Sequence, residues 1–401
     1  MKIAIIVPSQ LPVPSVKGGA IETLVTGLIN KNEEKRILDI TVFTTYNIEA
    51  VSESGKYANT RFIWIKYNLL NKIINVTTSC FSRISEKKIP HFGILQIIRH
   101  LKKNQFDLVV IEGNEELIIP AHKVVGKSKI LFHVHSATAL STPDVFDYCN
   151  KIIVVSNYIK NLVLLKTKRT EKDLFVLKNC TDISRFCRDN NLIFREGILT
   201  KYHISEDEVV ICFTGRIDRQ KGIKELLQAL LQLPENLPFK LIIAGSTGLN
   251  FGLSDIKTDF YSEILDLAKK LDHKAIITGY IKNSEIPKLL AASDISVIPS
   301  LGVDAAPLTV FESLAAGLPI ITTDSGGIPE YVTDKCAIVV NRDENFIKNL
   351  SSAIQELIIS KEKREAMGNA GFRHVQKYNY DNYYSDFLKI LTESNQSMQF
   401  N

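Results

Sequence analysis

The segment DAAPLTVFESLAAG, residues 304–317, sets two carboxylates, Asp304 and Glu312, on either side of a predicted helix start. Pro307 suits the first helical position, since it has no N–H to lose and its φ is already near helical. Gly317 suits the left-handed residue just past the helix end. A helix N-terminus offers unpaired N–H groups and the positive end of its dipole, so it attracts anions. A second stretch, FTGRIDRQKG, places Arg216, Arg219 and Lys221 in a loop between a strand and a helix. Cations at that place, where α/β sheets bind their ligands, suit a phosphate or pyrophosphate, although a surface loop can carry them without function.

Further candidates lie in the first half of the chain. VPSQLPVPSVKGGAIETL runs from a strand through a Pro-rich loop to Gly18 and Gly19 at a helix start. Paired glycines let backbone N–H groups approach an anion, but a plain loop looks the same, and this is not the G-x-G-x-x-G dinucleotide fingerprint. FHVHSAT ends a strand with His133 and His135 on one face. Two such histidines can bind zinc, yet no obvious third ligand stands nearby in the sequence. His135 is read as facing a ligand at the strand's carboxyl end, with a satisfied structural histidine as the alternative. TDSGGIPEYV adds Gly326 and Gly327 after another strand. No two aspartates stand two apart anywhere in the chain, so a D-x-D metal clamp for a pyrophosphate is absent and no metal cofactor is expected. Charge neutralisation then falls to side chains and a helix dipole.

These residues punctuate a repeating strand–helix pattern. KIAIIV, DITVFTT, FDLVVIE, KILFHVH, KIIVVS and DLFVLKN are short apolar runs in the first half. EVVICFTG, FKLIIAG, KAIITGY, DISVIPS, LPIITTD and CAIVVN repeat the theme in the second, with helical stretches such as AIETLVTGLINKN and KGIKELLQALLQL between strands. Near-continuous apolar strands of this kind fit parallel sheets buried on both faces. A length of 401 residues suits two domains, and the pattern restarts after NCTDISRFCRDNN. Six scattered cysteines without a C-x-x-C pair argue against a zinc site or a disulfide framework and for a reducing compartment. No stretch approaches a membrane span, and the short apolar run MKIAIIV, with Pro8 directly after it, reads as a first strand rather than a signal peptide.

Charge is uneven. Residues 66–105 hold eight Lys/Arg against the single acid Glu86, a local +7 in a chain whose net charge is +5. Phe92, Leu95, Ile98 and Leu101 recur there at helical spacing among basic neighbours. Such a face can lie on an anionic bilayer, or it can pack on its own domain with a solvated basic side. No nucleic-acid motif accompanies it, so a nucleic-acid partner is not expected.

Taken together these motifs resemble the retaining glycosyltransferases of family four. KGGAIETL, VVSNYIKNL, LKNCTDISRF, FTGRIDRQKGIKELLQAL, SDISVIPS and DAAPLTVFESLAAGLPIITTDSGGIPEYV carry the resemblance over nearly the whole chain. It implies an α/β GT-B fold: two Rossmann-like doubly wound domains facing a central cleft. Residues 1–183 with 377–401 would bind the acceptor and residues 184–376 the nucleotide sugar, the last helix crossing back to the first domain. By the same resemblance Arg216 and Lys221 grip the donor diphosphate, the N–H groups of the Ala306–Pro307–Leu308 turn cap it, and Glu312 holds the ribose hydroxyls. Asp304 contacts the donor sugar, where most of the family has Glu, one methylene longer. Gly18 and Gly19 close over the phosphates, His135 lies beside the transferred sugar, and Tyr280 and Ile281 meet the base. The implied activity is retaining, metal-independent transfer from a nucleotide-diphosphate sugar, UDP-sugar favoured, to a glycan acceptor. With the basic 66–105 region, a lipid-linked acceptor of bacterial surface polysaccharide and a peripheral place on the cytoplasmic face of the plasma membrane are expected. A sugar-nucleotide epimerase of the same fold, or a soluble saccharide or protein acceptor, is the alternative.

Overall fold

A computed structural model describes residues 1–7, 11–66, 92–186, 191–247 and 258–399. Residues 67–91, which carry four of the eight Lys/Arg of the expected basic patch, lie outside them.

The chain divides into two compact units, residues 1–178 with 380–401, and residues 179–379. In the first, β1 (Lys2–Ile6), β2 (Asp39–Thr45), β3 (Thr60–Ile65), β4 (Leu108–Glu112), β5 (Ile130–Val134), β6 (Lys151–Val154) and β7 (Leu174–Val176) form a sheet in the order β3-β2-β1-β4-β5-β6-β7. Every pair is parallel. In the second, β8 (Val209–Thr214), β9 (Phe239–Ala244), β10 (Ala275–Gly279), β11 (Ile295–Ile298), β12 (Ile320–Thr323) and β13 (Ala337–Val340) form a parallel sheet ordered β10-β9-β8-β11-β12-β13. Each apolar run named from the sequence is one of these strands. The strand that the sequence reading did not name is β3, TRFIWI. It is an edge strand, half-buried and carrying Arg61, so it lacks the continuous apolar character of the buried strands.

Both sheets reverse direction of growth once, between β1 and β4 and between β8 and β11. Loops leaving these neighbouring strands run to opposite faces of the sheet and open a crevice at the strands' carboxyl ends. Helices cover the buried strands. Ile223, Leu226, Leu227 and Leu230 of helix Ile223–Leu230 join Ile211, Leu241 and Ile243 in one core cluster. Each such side chain contributes about 1.5–3 kcal/mol through burial.

Helix Phe92–Lys103 turns Ile94, Ile97 and Leu101 into the first unit and leaves Leu95 half exposed. His100 packs edge-on against Phe43 of β2 at 6.2 Å. The apolar stripe of this helix is therefore offset from the Phe92/Leu95/Ile98/Leu101 face expected, and its own domain occupies it. No helix among the described residues is long and apolar enough to cross a membrane.

The last helix, Tyr380–Gln399, belongs to the first unit. It lies on helix Ala20–Lys35, where Gly27 leaves room for the Tyr380 ring: a Cβ there would stand 2.0 Å from a ring carbon. Tyr380 Oη donates to Thr23 O at 3.0 Å and Tyr384 Oη to Asn32 Oδ1 at 2.7 Å. These polar ends, with buried Phe387 and Leu391, explain the aromatic composition of the tail.

Candidate active site

In the second unit the predicted residues gather at the carboxyl ends of β8 and β11, beside the reversal. After β8, Asp218 caps a short turn by accepting from the N–H groups of Gln220 at 3.0 Å and Lys221 at 3.1 Å. This turn sorts the three cations. Arg216 stays half exposed with Nη1 3.2 Å from Asp218. Arg219 stacks on the Phe260 ring at 4.7 Å. Lys221 points to the loop after β11, donating to both carboxylate oxygens of Asp304 at 3.0 and 2.8 Å. Gly222 closes the turn at φ 67°, and its Cα packs on the backbone of Pro299, where a Cβ would sit 1.9 Å from the carbonyl oxygen.

Asp304 is tied on all sides. Ser300 Oγ donates to its carboxylate at 2.6 Å, its own N–H donates to Ser325 Oγ at 3.2 Å, and its carbonyl accepts from Gly327 N at 2.8 Å. Gly326 permits that close approach, since a Cβ there would lie 2.1 Å from the Asp304 oxygen. The second glycine pair thus braces the loop that carries Asp304. The short Asp side chain leaves room for the Lys221 ammonium between the two loops, so the acid expected at the sugar and the cation expected at the diphosphate form an ion pair.

The loop continues through buried Ala305 and Ala306 to helix Leu308–Ala315. Pro307 is the cap residue, with φ −69° and ψ 132°, one position before the helical place expected for it. Its extended ψ keeps it outside the helix, and no side chain caps this end, so first-turn N–H groups are left for an outside acceptor. Gly317 is left-handed at φ 67°, as expected. Phe311 packs edge-on against Tyr331 at 4.9 Å and Tyr378 at 5.2 Å, and Ser313 Oγ bonds Ser296 Oγ of β11 at 2.7 Å. These contacts fix the rotation of the helix and hence the direction of Glu312. The Glu312 side chain keeps slight exposure, yet burial pushes its carboxyl up to about 7, with the Arg185 charge pulling the other way. Arg185 is itself held by Asn283 Oδ1 at 2.9 Å. Asn179 Nδ2 donates to Ala306 O at 2.8 Å. Tyr280 and Ile281 follow β10, Ile281 packed beside Leu199, Ile204 and Leu289.

In the first unit, Gly18 and Gly19 take φ 79° and 93° at the start of helix Ala20–Lys35. Beneath Gly19 lies the buried carboxyl of Glu22, which burial raises to about 7. His133 and His135 do have a third partner. Glu112 ends β4, pairs in register with His133, and places Oε2 2.6 Å from His135 Nε2 and 2.9 Å from His133 Nδ1. Glu112 does not stand out beside them in the sequence because the paired strand positions are 21 residues apart along the chain (Glu112 to His133). The available signal was an acid closing the otherwise apolar strand LVVIE. Asn179, Ser300 and Ser325, polar residues in loops, and Arg185, in the short helix Ile183–Phe186, carry no local mark of a site either.

Residues 194–374 match the model described as glycosyl transferases group 1. The chain is 26% identical over 392 residues to spore coat protein SA of Bacillus subtilis (strain 168), covering 94% of this chain and 95% of the relative. It is 23% identical over 328 residues, 79% of this chain and 83% of the relative, to the lipopolysaccharide 1,2-N-acetylglucosaminetransferase of Salmonella typhimurium. In fold it superposes on Anabaena HepE, solved in complex with UDP and glucose, with a TM-score of 0.76 at 14% identity, over 98% of this chain and 100% of that one. The matched residues 194–374 lie within the second unit, and the likeness to HepE shows that the chain shares the two-domain GT-B fold, with a nucleotide-type crevice in each doubly wound unit.

Proposed function

We propose that this protein is a glycosyltransferase that moves a sugar from a nucleoside-diphosphate donor, a UDP-sugar by preference, to a glycan acceptor with retention at the anomeric carbon. The observation that carries the reading is the convergence, at the β8/β11 reversal, of Lys221, Arg216, an uncapped helix start and Glu312 on that same helix. Breaking the glycosyl–phosphate bond leaves an anionic diphosphate and an oxocarbenium-like sugar. Fixed cations and N–H dipoles stabilise that leaving group without reorganising. An ammonium has three donors; Asp304 takes two from Lys221, and the third serves a phosphate oxygen. A carboxylate offers about four acceptor positions; Lys221 and Ser300 occupy three on Asp304, which leaves one for a single donor-sugar hydroxyl. Glu312 takes the ribose, Tyr280 and Ile281 the base, and Gly18, Gly19 and His135 of the first unit the phosphates and the sugar. Side chains supply the neutralising charge in this scheme, so no metal is required.

A thermal-shift screen of nucleoside diphosphates and their sugars tests the donor, because a ligand of the folded state alone raises the midpoint. Free nucleoside diphosphate should then appear only when an acceptor is present; its release without acceptor, with an epimerised sugar, would establish the epimerase reading instead. The net +7 of residues 66–105 and the lipopolysaccharide transferase among the relatives favour a lipid-linked acceptor met at the cytoplasmic face of an anionic membrane. Binding to anionic vesicles should fall with salt as screening shortens to ~10 Å at 0.1 M.

A further inference from the structure

Among the described residues, Glu112, His133 and His135 form the one cluster of three titratable side chains that could hold a metal ion. Its three candidate ligand atoms lie within 4.8 Å of one another, all of them in buried or nearly buried side chains. Two chemistries compete for such a set, a metal centre and a proton-ordered hydrogen-bond network. Distance decides between them. Two ligands of one tetrahedral zinc, each at ~2.0–2.1 Å from the metal, stand roughly 3.3 Å apart. Glu112 Oε2 and His135 Nε2 are 2.6 Å apart, too close for two ligands of one ion and right for a charge-assisted hydrogen bond.

We infer that Glu112 is a positioning residue that fixes His135 as the tautomer protonated on Nε2, leaving Nδ1 to accept a hydroxyl hydrogen from the sugar. A carboxylate only accepts, so the hydrogen in this contact belongs to His135 Nε2. The register of β4 with β5 sets the geometry: Glu112 pairs with His133, and His135 follows two residues on, at the strand's carboxyl end. Gly113, left-handed at φ 59°, turns the chain away directly after Glu112, and a Cβ there would lie 3.7 Å from His135 Cδ2. His133 Nδ1, though 2.9 Å from the same carboxylate oxygen, is not aligned for a hydrogen bond, so His135 holds the well-formed one.

The surrounding charges keep this state. Burial alone would raise the Glu112 carboxyl, but the His133 and His135 imidazoles outweigh it and hold Glu112 below the usual carboxylate range. Burial, then His133, push His135 below its ordinary value against the opposing pull of Glu112. From helix Ala20–Lys35, Glu22 faces the cluster with its carboxyl raised by burial. His135 therefore stays neutral around pH 7, an acceptor at Nδ1 rather than a cation.

The sugar contact rests on the transfer reading above; the tautomer does not, and the experiment separates them. In protein with 15N-labelled histidine, long-range proton–nitrogen correlation should show His135 protonated on Nε2 and bare on Nδ1 between pH 6 and 8, without substrate. Glu112→Gln offers an amide that can donate as well as accept, so the other tautomer should appear. Transfer kcat should fall about tenfold, the size of one lost hydrogen bond, with the Kd for nucleoside diphosphate unchanged. Should Glu112→Gln fail to fold, Glu112→Asp withdraws the carboxylate by one methylene and should show the same tautomer shift. A His135 protonated on Nδ1 in the wild type, or an unchanged kcat in a folded Glu112 variant, would overturn the inference. So would stoichiometric Zn²⁺ binding that Glu112→Gln abolishes.

Discussion

Glu312 carries the sharpest consequence of burying an acid at a nucleotide site. Its carboxyl is raised from 4.5 to about 7 by burial. At about 1.4 kcal/mol per unit, full ionisation in the empty protein costs roughly 3 kcal/mol, or about 2 kcal/mol once its residual exposure is discounted. The sign follows from linkage: a folded-state value above the unfolded one means that stability is fully present below pH 4.5 and is lost as pH rises through about 7. Glu312→Gln removes the charge and keeps the shape. The nucleotide-free variant should therefore match the wild type near pH 4 and exceed it by about 2 kcal/mol at pH 8. The single Trp, Trp64, is in the first unit, so its fluorescence reports the wrong place. Amide hydrogen exchange in helix Leu308–Ala315 reports the right one. Protection there, corrected for intrinsic rates, should fall ~30-fold more between pH 4 and 8 in the wild type than in the variant. Ribose hydroxyls donating to Glu312 would favour its ionised form, so nucleotide binding near pH 7 should release about half a proton in the wild type and none in Glu312→Gln. Equal pH dependence of protection in the two proteins would refute the burial argument. Equal proton release would refute the ribose role.

Lys221→Met should lower the transfer rate by on the order of 10²–10³, the usual loss for one preorganised leaving-group contact, read by steady-state kinetics with the correct donor; near wild-type turnover would remove Lys221 from the diphosphate. Gly27→Ala should force the Tyr380 ring away from its place 2.0 Å from the new Cβ and destabilise the first unit by about 1–3 kcal/mol. Trp64 fluorescence in urea measures that, and an unchanged midpoint would show that the C-terminal helix does not bear on the Gly27 face.

The outcome for individual residues shows where sequence stops being sufficient. Apolar runs such as FDLVVIE and FKLIIAG identify buried parallel strands because covering both faces removes the polar alternation that other strands keep. Edge strand β3 escaped for the same reason in reverse. A helix start beside Pro307, to within one residue, and the left-handed Gly317 were legible because cap chemistry is local: φ preference and missing donors belong to the residue itself. Arg216, Arg219 and Lys221 read alike as charges in a loop, and only packing separates them, one onto the Phe260 ring and one onto Asp304.

By itself, then, the sequence determined the alternation of strands and helices, the two-fold division of the chain and the loops in which polar residues collect at strand ends. Those follow from periodicity and local backbone preference, which act over a few residues. Tertiary structure alone decided that Asp304 pairs with Lys221, that Glu312 is held in surroundings that raise its carboxyl, and that Glu112 stands against His135. Each of those depends on which strands lie side by side and in what register, contacts between residues far apart in the chain, set by the burial of whole sheets rather than by any neighbour in sequence.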